Sequence, residues 1–143
     1  MSLRLQSLFM TALFAALAAL AVGGSLVSLI PNLFLVGAAL AAGYLAILSV
    51  TLVQAIRAGR KAAEPYTDPR YGALAGTATG AWVGLGAALG QVGYALLAQT
   101  LWHAEFKAGL IAGFCVMYLG TAIIAARIAG RQAAHPPEAE EEA

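Results

Sequence analysis

The sequence predicts an all-α integral membrane protein, a four-helix bundle made of two antiparallel helical hairpins with both termini in the cytoplasm. Two observations lead to this fold class. Four long apolar stretches fill most of the 143-residue chain, and none of them contains Asp, Glu, Lys or Arg. Charged residues make up only 10% of the chain, whereas soluble domains average about 25%. A soluble fold would have more charged residues on its surface than this chain provides. A fold whose outer surface lies in lipid explains the composition.

Each apolar stretch is long enough to cross a bilayer, which requires about 20 apolar residues in a helix. The predicted spans are residues 8–30, 33–56, 73–101 and 108–126. We take residues 1–131 as one transmembrane domain, because the segments between the spans are too short to form a core of their own. Residues 132–143 combine a diproline with a run of glutamates and predict a disordered acidic cytoplasmic tail.

The first stretch admits a second interpretation. Arg4 precedes an apolar run that contains Ala-Leu-Ala at residues 19–21, a pattern that also occurs at signal-peptide cleavage sites. The apolar part of a signal peptide is about 7–15 residues long, whereas this run continues without interruption to Ile30. We therefore favour a retained helix, with cleavage of residues 1–21 as the alternative.

The basic residues predict the orientation, because Lys and Arg concentrate in cytoplasmic loops. Those on the predicted cytoplasmic side are Arg4, Arg57, Arg60, Lys61, Arg70, Arg127 and Arg131, and only Lys107 lies on the other side. The loop at residues 57–72 also contains Pro65 and Pro69, which we expect to exclude helix from it. The abundance of alanine and the preference for Arg over Lys are typical of GC-rich bacterial genomes. We therefore expect a multi-pass protein of the bacterial inner membrane.

The third stretch carries a face of small residues. At about 100° per residue, its glycines fall on one side of the helix, and most of its leucines fall on the opposite side. The predicted helix-packing interface is Gly76, Gly80, Gly84, Gly86, Gly90 and Gly93. A face without side chains allows close approach of two helix backbones, which stabilises helix pairs in membranes. The partner is either another helix of the same chain or a second chain. Gly109, Gly113 and Gly120 form a milder stripe in the fourth stretch.

Gln91 is the most informative polar residue within the spans. It lies near the middle of the third stretch, on the small-residue side, and lipid cannot satisfy the hydrogen-bonding atoms of its amide. We favour a hydrogen bond from Gln91 to another helix and local backbone bonds for the threonines. The alternative is that Gln91, Thr77 and Thr79 form a polar lining for a solute path.

Residue patterns typical of catalysis are not found, so we expect neither enzyme activity nor a cofactor. His103 and Glu105 lie close together in sequence, but a catalytic zinc site needs at least three protein ligands, so we expect no metal site. A net charge of +1 gives no basic surface for nucleic acid.

The absence of an ionisable residue within the spans disfavours proton- or ion-coupled transport, which usually requires one. The sequence therefore predicts a structural or accessory membrane protein. It would associate with itself or with a larger membrane complex through its small-residue helix faces, surrounded by membrane lipid. The alternative is an oligomeric channel or small transporter for a neutral or weakly charged solute.

Overall fold

A computed structural model describes residues 3–27, 35–102 and 107–134, and these form four α-helices. The helices are α1 (Leu3–Val27), α2 (Leu35–Ala63), α3 (Pro69–Trp102) and α4 (Ala108–Ala133). All four are long and apolar enough to cross a membrane. The prediction of an all-helical fold with four helices long and apolar enough to span a membrane is therefore confirmed for the described residues. His103, Glu105 and the predicted tail from residue 135 onward lie outside the described residues.

All four helices extend beyond the apolar stretches at the end that carries the basic residues. α1 begins at Leu3, α2 continues to Ala63, α3 begins at Pro69, and α4 continues to Ala133. Apolar sequence marks the part of a helix that lies in lipid, whereas Ala, Arg and Lys continue helical hydrogen bonding beyond it because they are good helix formers. α3 has 34 residues and is therefore about 51 Å long, which exceeds the hydrocarbon core of about 30 Å.

The expectation that both prolines exclude helix from the central loop is wrong for one of them. Pro65 lies between α2 and α3, but Pro69 is the first residue of α3. Proline suits this position because its missing N–H would have no helical partner there. Asp68 also favours the helix start, since its Oδ1 accepts a hydrogen bond from the backbone N–H of Arg70 at 2.9 Å.

The contacts show how the helices are directed relative to one another. Along α3 and α4, Gly72 lies against Gly130 and Gly84 lies against Leu119, so these helices run in opposite directions. α1 runs in the same direction as α3, where successive α3 glycines contact successive turns of α1. α2 and α3 each contact all three other helices, whereas α1 and α4 do not contact each other within the described ranges.

The basic residues lie together at one end of this helix arrangement. Arg4 at the start of α1 shares a cavity with Ala62 near the end of α2 and with Ala75 near the start of α3. Arg131 near the end of α4 shares another cavity with Arg70. Lys107 lies immediately before the first residue of α4, whereas Arg131 lies in the last turn of that helix. Lys107 is therefore at the opposite end of the helices from the other basic residues.

Small residues fill the interior, and large apolar residues cover the outside. One buried cluster centres on Ala87, Tyr94 and Tyr118, and a second on Val83 and Ala122. The leucines opposite the glycine face of α3 are exposed, and they are Leu74, Leu85, Leu89 and Leu96. Apolar surface of this extent is unusual on a soluble monomer, and it matches a helix surface that faces acyl chains.

Candidate functional site

The glycines in the first half of α3 lie directly against the backbone of α4. A Cβ atom on Gly80 would lie 2.6 Å from the carbonyl oxygen of Ala122, and one on Gly84 would lie 2.7 Å from the Cα of Leu119. Gly76 is similarly close to the carbonyl of Ala126. The two backbones can approach this closely only because α3 lacks side chains here, and the approach increases van der Waals contact between the helices.

The later glycines of α3 face a different helix. Gly86 lies against the backbone of Leu8, and a Cβ on Gly90 would lie 2.8 Å from the Cβ of Ala15. Gly93 differs from both, since no atom lies within 4 Å of the position that its Cβ would occupy. The small-residue side of α3 therefore contacts α4 along its first half and α1 along its second half. Pairing of this side with a second chain stays a prediction, and these contacts leave little of it free.

Besides Gly93, three uncovered glycines are found on α4 within the described residues. No atom lies within 4 Å of the Cβ position of Gly109, Gly113 or Gly120. Gly109 and Gly113 are exposed, and so is Val116 on the following turn. The fourth helix thus presents glycines to the outside, although the same residue type serves internal packing on α3.

Gln91 forms a buried polar pair with Tyr118. The hydroxyl of Tyr118 donates a hydrogen bond of 2.6 Å to Oε1 of Gln91, and both side chains are fully buried. The ring of Tyr44 stacks on that of Tyr118 with centroids 5.6 Å apart. One hydrogen bond and one ring contact thus connect α2, α3 and α4. The amide Nε2 of Gln91 has no hydrogen-bond partner among the described residues.

The two threonines of the candidate polar lining use their hydroxyl groups locally. Thr77 donates to the carbonyl of Ala73 at 2.8 Å, and Thr79 donates to that of Ala75 at 2.9 Å. Such bonds to the preceding helical turn are common for threonine. Thr79 is twelve residues before Gln91 on the same helix, a separation of about 18 Å. The structure therefore does not bring Gln91, Thr77 and Thr79 together at one site.

Sequence reasoning missed Tyr118 as the partner of Gln91. A signal was available, because a tyrosine hydroxyl in the middle of an apolar span requires a hydrogen-bond partner. The pairing itself depends on how α3 and α4 align, and the composition of neither helix reveals this alignment.

Sequence reasoning also missed two cavities between α1 and α2. The first has a volume of about 430 Å³ and is lined by Arg57, Lys61 and Gln6 among others. The second has a volume of about 540 Å³ and is mostly apolar, with Leu17 and Val53 among its lining residues. Both depend on the spacing between α1 and α2, which the residue pattern of neither helix determines.

Within the described ranges, no three His, Cys, Asp or Glu side chains are grouped so that they could hold a metal ion. The chain matches no protein-family model, no curated protein and no solved structure. Helix length, the interior contacts and the outer surface are therefore the features that indicate a function.

Proposed function

We propose that the chain is a structural or accessory protein of the plasma membrane, which associates with a second copy or with a larger membrane complex. The contrast between the two sets of glycines carries this proposal. On α3, Gly80 and Gly84 are in contact with another helix of the same chain, whereas Gly109 and Gly113 on α4 are uncovered. Helix pairs in membranes associate through such small-residue surfaces, so the outer side of α4 is the best supported association surface.

The interior contacts also favour a structural role over a solute path. Backbone contact between α3 and α4 closes the space next to Gly76 and Gly80. The hydroxyls of Thr77 and Thr79 are bonded to their own helix, and Oε1 of Gln91 is bonded to Tyr118. One observation favours the channel alternative, namely that the buried Nε2 of Gln91 has no partner among the described residues.

In the proposed topology, the four helices form a membrane bundle of two antiparallel hairpins with both termini in the cytoplasm. The location of the basic residues supports it, because Arg57, Arg70 and Arg131 belong to the same end as the start of α1. Lys107 is the exception at the opposite end. The positive-inside rule then orients the basic end toward the cytoplasm.

The topology can be tested with single cysteines in a Cys115→Ala background. A membrane-impermeant thiol reagent applied to intact spheroplasts should label Lys107→Cys but not Tyr66→Cys, since both positions are exposed but lie at opposite ends of the helices. Tyr66→Cys should become labelled once the membrane is permeabilised. The opposite labelling pattern would contradict the proposed orientation.

The association surface can be tested by comparing Gly113→Leu with Gly93→Leu. Both glycines have open space at the Cβ position, so neither leucine should disturb the fold of the single chain. We expect Gly113→Leu to abolish most of the cross-linked product formed in native membranes, because the larger side chain separates α4 from its partner helix. Gly93→Leu should leave the product unchanged.

The readout is chemical cross-linking before solubilisation, followed by mass spectrometry of the product to identify the second chain. If the wild-type protein forms no cross-linked product and leaves the membrane in mild detergent as a monomer, the association proposal is wrong.

A further inference from the structure

A groove between α1 and α2 has a basic end and an apolar end. The basic end is the cavity lined by Arg57 and Lys61, together with the polar residues Gln6, Ser7 and Gln54. The apolar end is the neighbouring cavity, whose lining includes Phe14, Leu17, Ala18, Val50 and Val53. Both cavities are lined by Phe14, Gln54 and Arg57, so they adjoin. We refer to the two together as the α1/α2 groove.

Large side chains such as Phe14 and Val53 line the groove, whereas glycines such as Gly80 allow backbone contact between α3 and α4. Larger side chains hold two helices further apart and leave space between them. The space follows the direction of the helices, since Lys61 at one end and Ser49 at the other are twelve residues apart on α2, or about 18 Å.

The groove is open on its outer side. Phe14, Leu17 and Val53 are 40%, 54% and 53% exposed, on a helix surface long and apolar enough to lie in lipid. A molecule that diffuses within the bilayer could therefore enter from the side. A third helix is about 10 Å across, so it would cover a groove between two adjacent helices without filling it. A slimmer molecule from the bilayer therefore fits the groove better than a helix does.

The charges of the groove indicate an anionic occupant. Arg57 and Lys61 are exposed at its basic end, and among the described residues neither cavity is lined by Asp or Glu. The amides of Gln6 and Gln54 add hydrogen-bond donors. Guanidinium and ammonium groups both bind phosphate oxygens with strong, charge-assisted hydrogen bonds, and basic pockets beside membrane helices bind anionic headgroups.

We propose that the α1/α2 groove binds one anionic phospholipid. Arg57 and Lys61 hold its phosphate at the basic end, and one acyl chain lies along Phe14 and Val53. The apolar length distinguishes this occupant from a free phosphate or a small anion, neither of which would use the second cavity. The proposal concerns α1 and α2 and does not depend on association through α4.

The test is native mass spectrometry of the protein titrated with phosphatidylglycerol or with phosphatidylcholine of the same chain length. We expect phosphatidylglycerol to bind more tightly to the wild-type protein. The double variant Arg57→Gln/Lys61→Gln should bind phosphatidylglycerol about 30-fold more weakly, since each basic residue near a headgroup contributes about 1 kcal/mol. Both side chains are exposed, so the variant should keep its fold.

A matched control removes the same two charges elsewhere. Arg70 at the start of α3 and Arg131 near the end of α4 are exposed basic residues, so Arg70→Gln/Arg131→Gln changes the net charge equally without altering the groove. The control should retain most of the wild-type affinity. Equal losses in both double variants, or equal binding of the two lipids by the wild-type protein, would overturn the proposal.

Two further experiments test whether the bound phosphate belongs to a lipid. Glycerol 3-phosphate, which carries the phosphate without acyl chains, should not displace the bound lipid at millimolar concentration. Ala18→Phe, which fills the apolar end, should weaken lipid binding while the helical circular dichroism stays unchanged. Displacement by glycerol 3-phosphate would show a free-anion site, and cross-linking of Val53→Cys to another protein would show a partner helix. Either result would contradict the lipid assignment.

Discussion

Gly80→Leu should destabilise the protein by about 3 kcal/mol, because overpacking a closely packed interior forces its helices apart. A Cβ at this position would lie 2.6 Å from the carbonyl oxygen of Ala122 and 2.8 Å from the Cβ of Ala126. The first of these atoms belongs to the backbone of α4, which cannot move without displacing the whole helix. SDS titration in mixed micelles, followed by tryptophan fluorescence, measures the change in unfolding free energy.

Gly93→Leu is the control on the same helix. No atom lies within 4 Å of its Cβ position, so the same substitution should change the unfolding free energy by less than about 0.5 kcal/mol. If Gly80→Leu unfolds at the same SDS fraction as Gly93→Leu, then α3 and α4 do not pack as closely as the structure indicates. Because Gly80 faces α4 of its own chain, a loss of stability in Gly80→Leu but not in Gly93→Leu would indicate packing within the chain and not association with a second chain.

α3 shows how much of the fold could be predicted from residue periodicity. Its 3.6-residue repeat separates glycines from leucines in the sequence, and the structure has Gly80 buried while Leu74 and Leu89 are exposed. A helical repeat determines which residues share a side of one helix. The distribution of small and large residues around α3 could therefore be predicted without knowing which helices surround it.

The helix that each glycine of α3 contacts could not be predicted from sequence in the same way. Gly84 lies against α4 and Gly86 lies against α1, although the two glycines are only two residues apart. That division depends on the angle and spacing between helices, which result from the packing of all four together. The α1/α2 groove could not be predicted for the same reason, since Gln6 and Lys61 are distant in sequence and line one cavity.

The candidate polar lining shows a different limit. Gln91, Thr77 and Thr79 could be selected from sequence because they are polar residues in apolar surroundings. Whether they act together depends on the hydrogen bonds they form. The structure gives the threonine hydroxyls partners in their own helix and gives Gln91 a partner in α4.

Tyr118→Phe should destabilise the protein by about 1–2 kcal/mol, within the range measured for hydrogen bonds between membrane helices and for buried polar groups that lose a partner. The hydroxyl of Tyr118 donates the 2.6 Å bond to Oε1 of Gln91, and Nε2 of the same amide already lacks a partner among the described residues. The variant would therefore leave the fully buried amide of Gln91 without a side-chain hydrogen bond among the described residues. SDS titration measures the loss.

A double-mutant cycle separates the hydrogen bond from the packing of the two side chains. Gln91→Leu/Tyr118→Phe removes both polar groups, so it should be less destabilised than the sum of its single variants by about 1 kcal/mol. Tyr71→Phe is the control, since Tyr71 is 59% exposed and should tolerate the loss of its hydroxyl.

Additive effects in the cycle would mean that the Gln91–Tyr118 bond does not contribute to stability. The channel alternative makes a different prediction for the single variant Gln91→Leu. If the reconstituted wild-type protein passes a neutral solute and Gln91→Leu abolishes that flux without changing stability, Gln91 lines a path. A structural role for Gln91 predicts the opposite combination, in which stability falls and liposomes containing the wild-type protein show no flux above protein-free liposomes. The two measurements on one variant therefore distinguish hydrogen bonding between helices from a solute path.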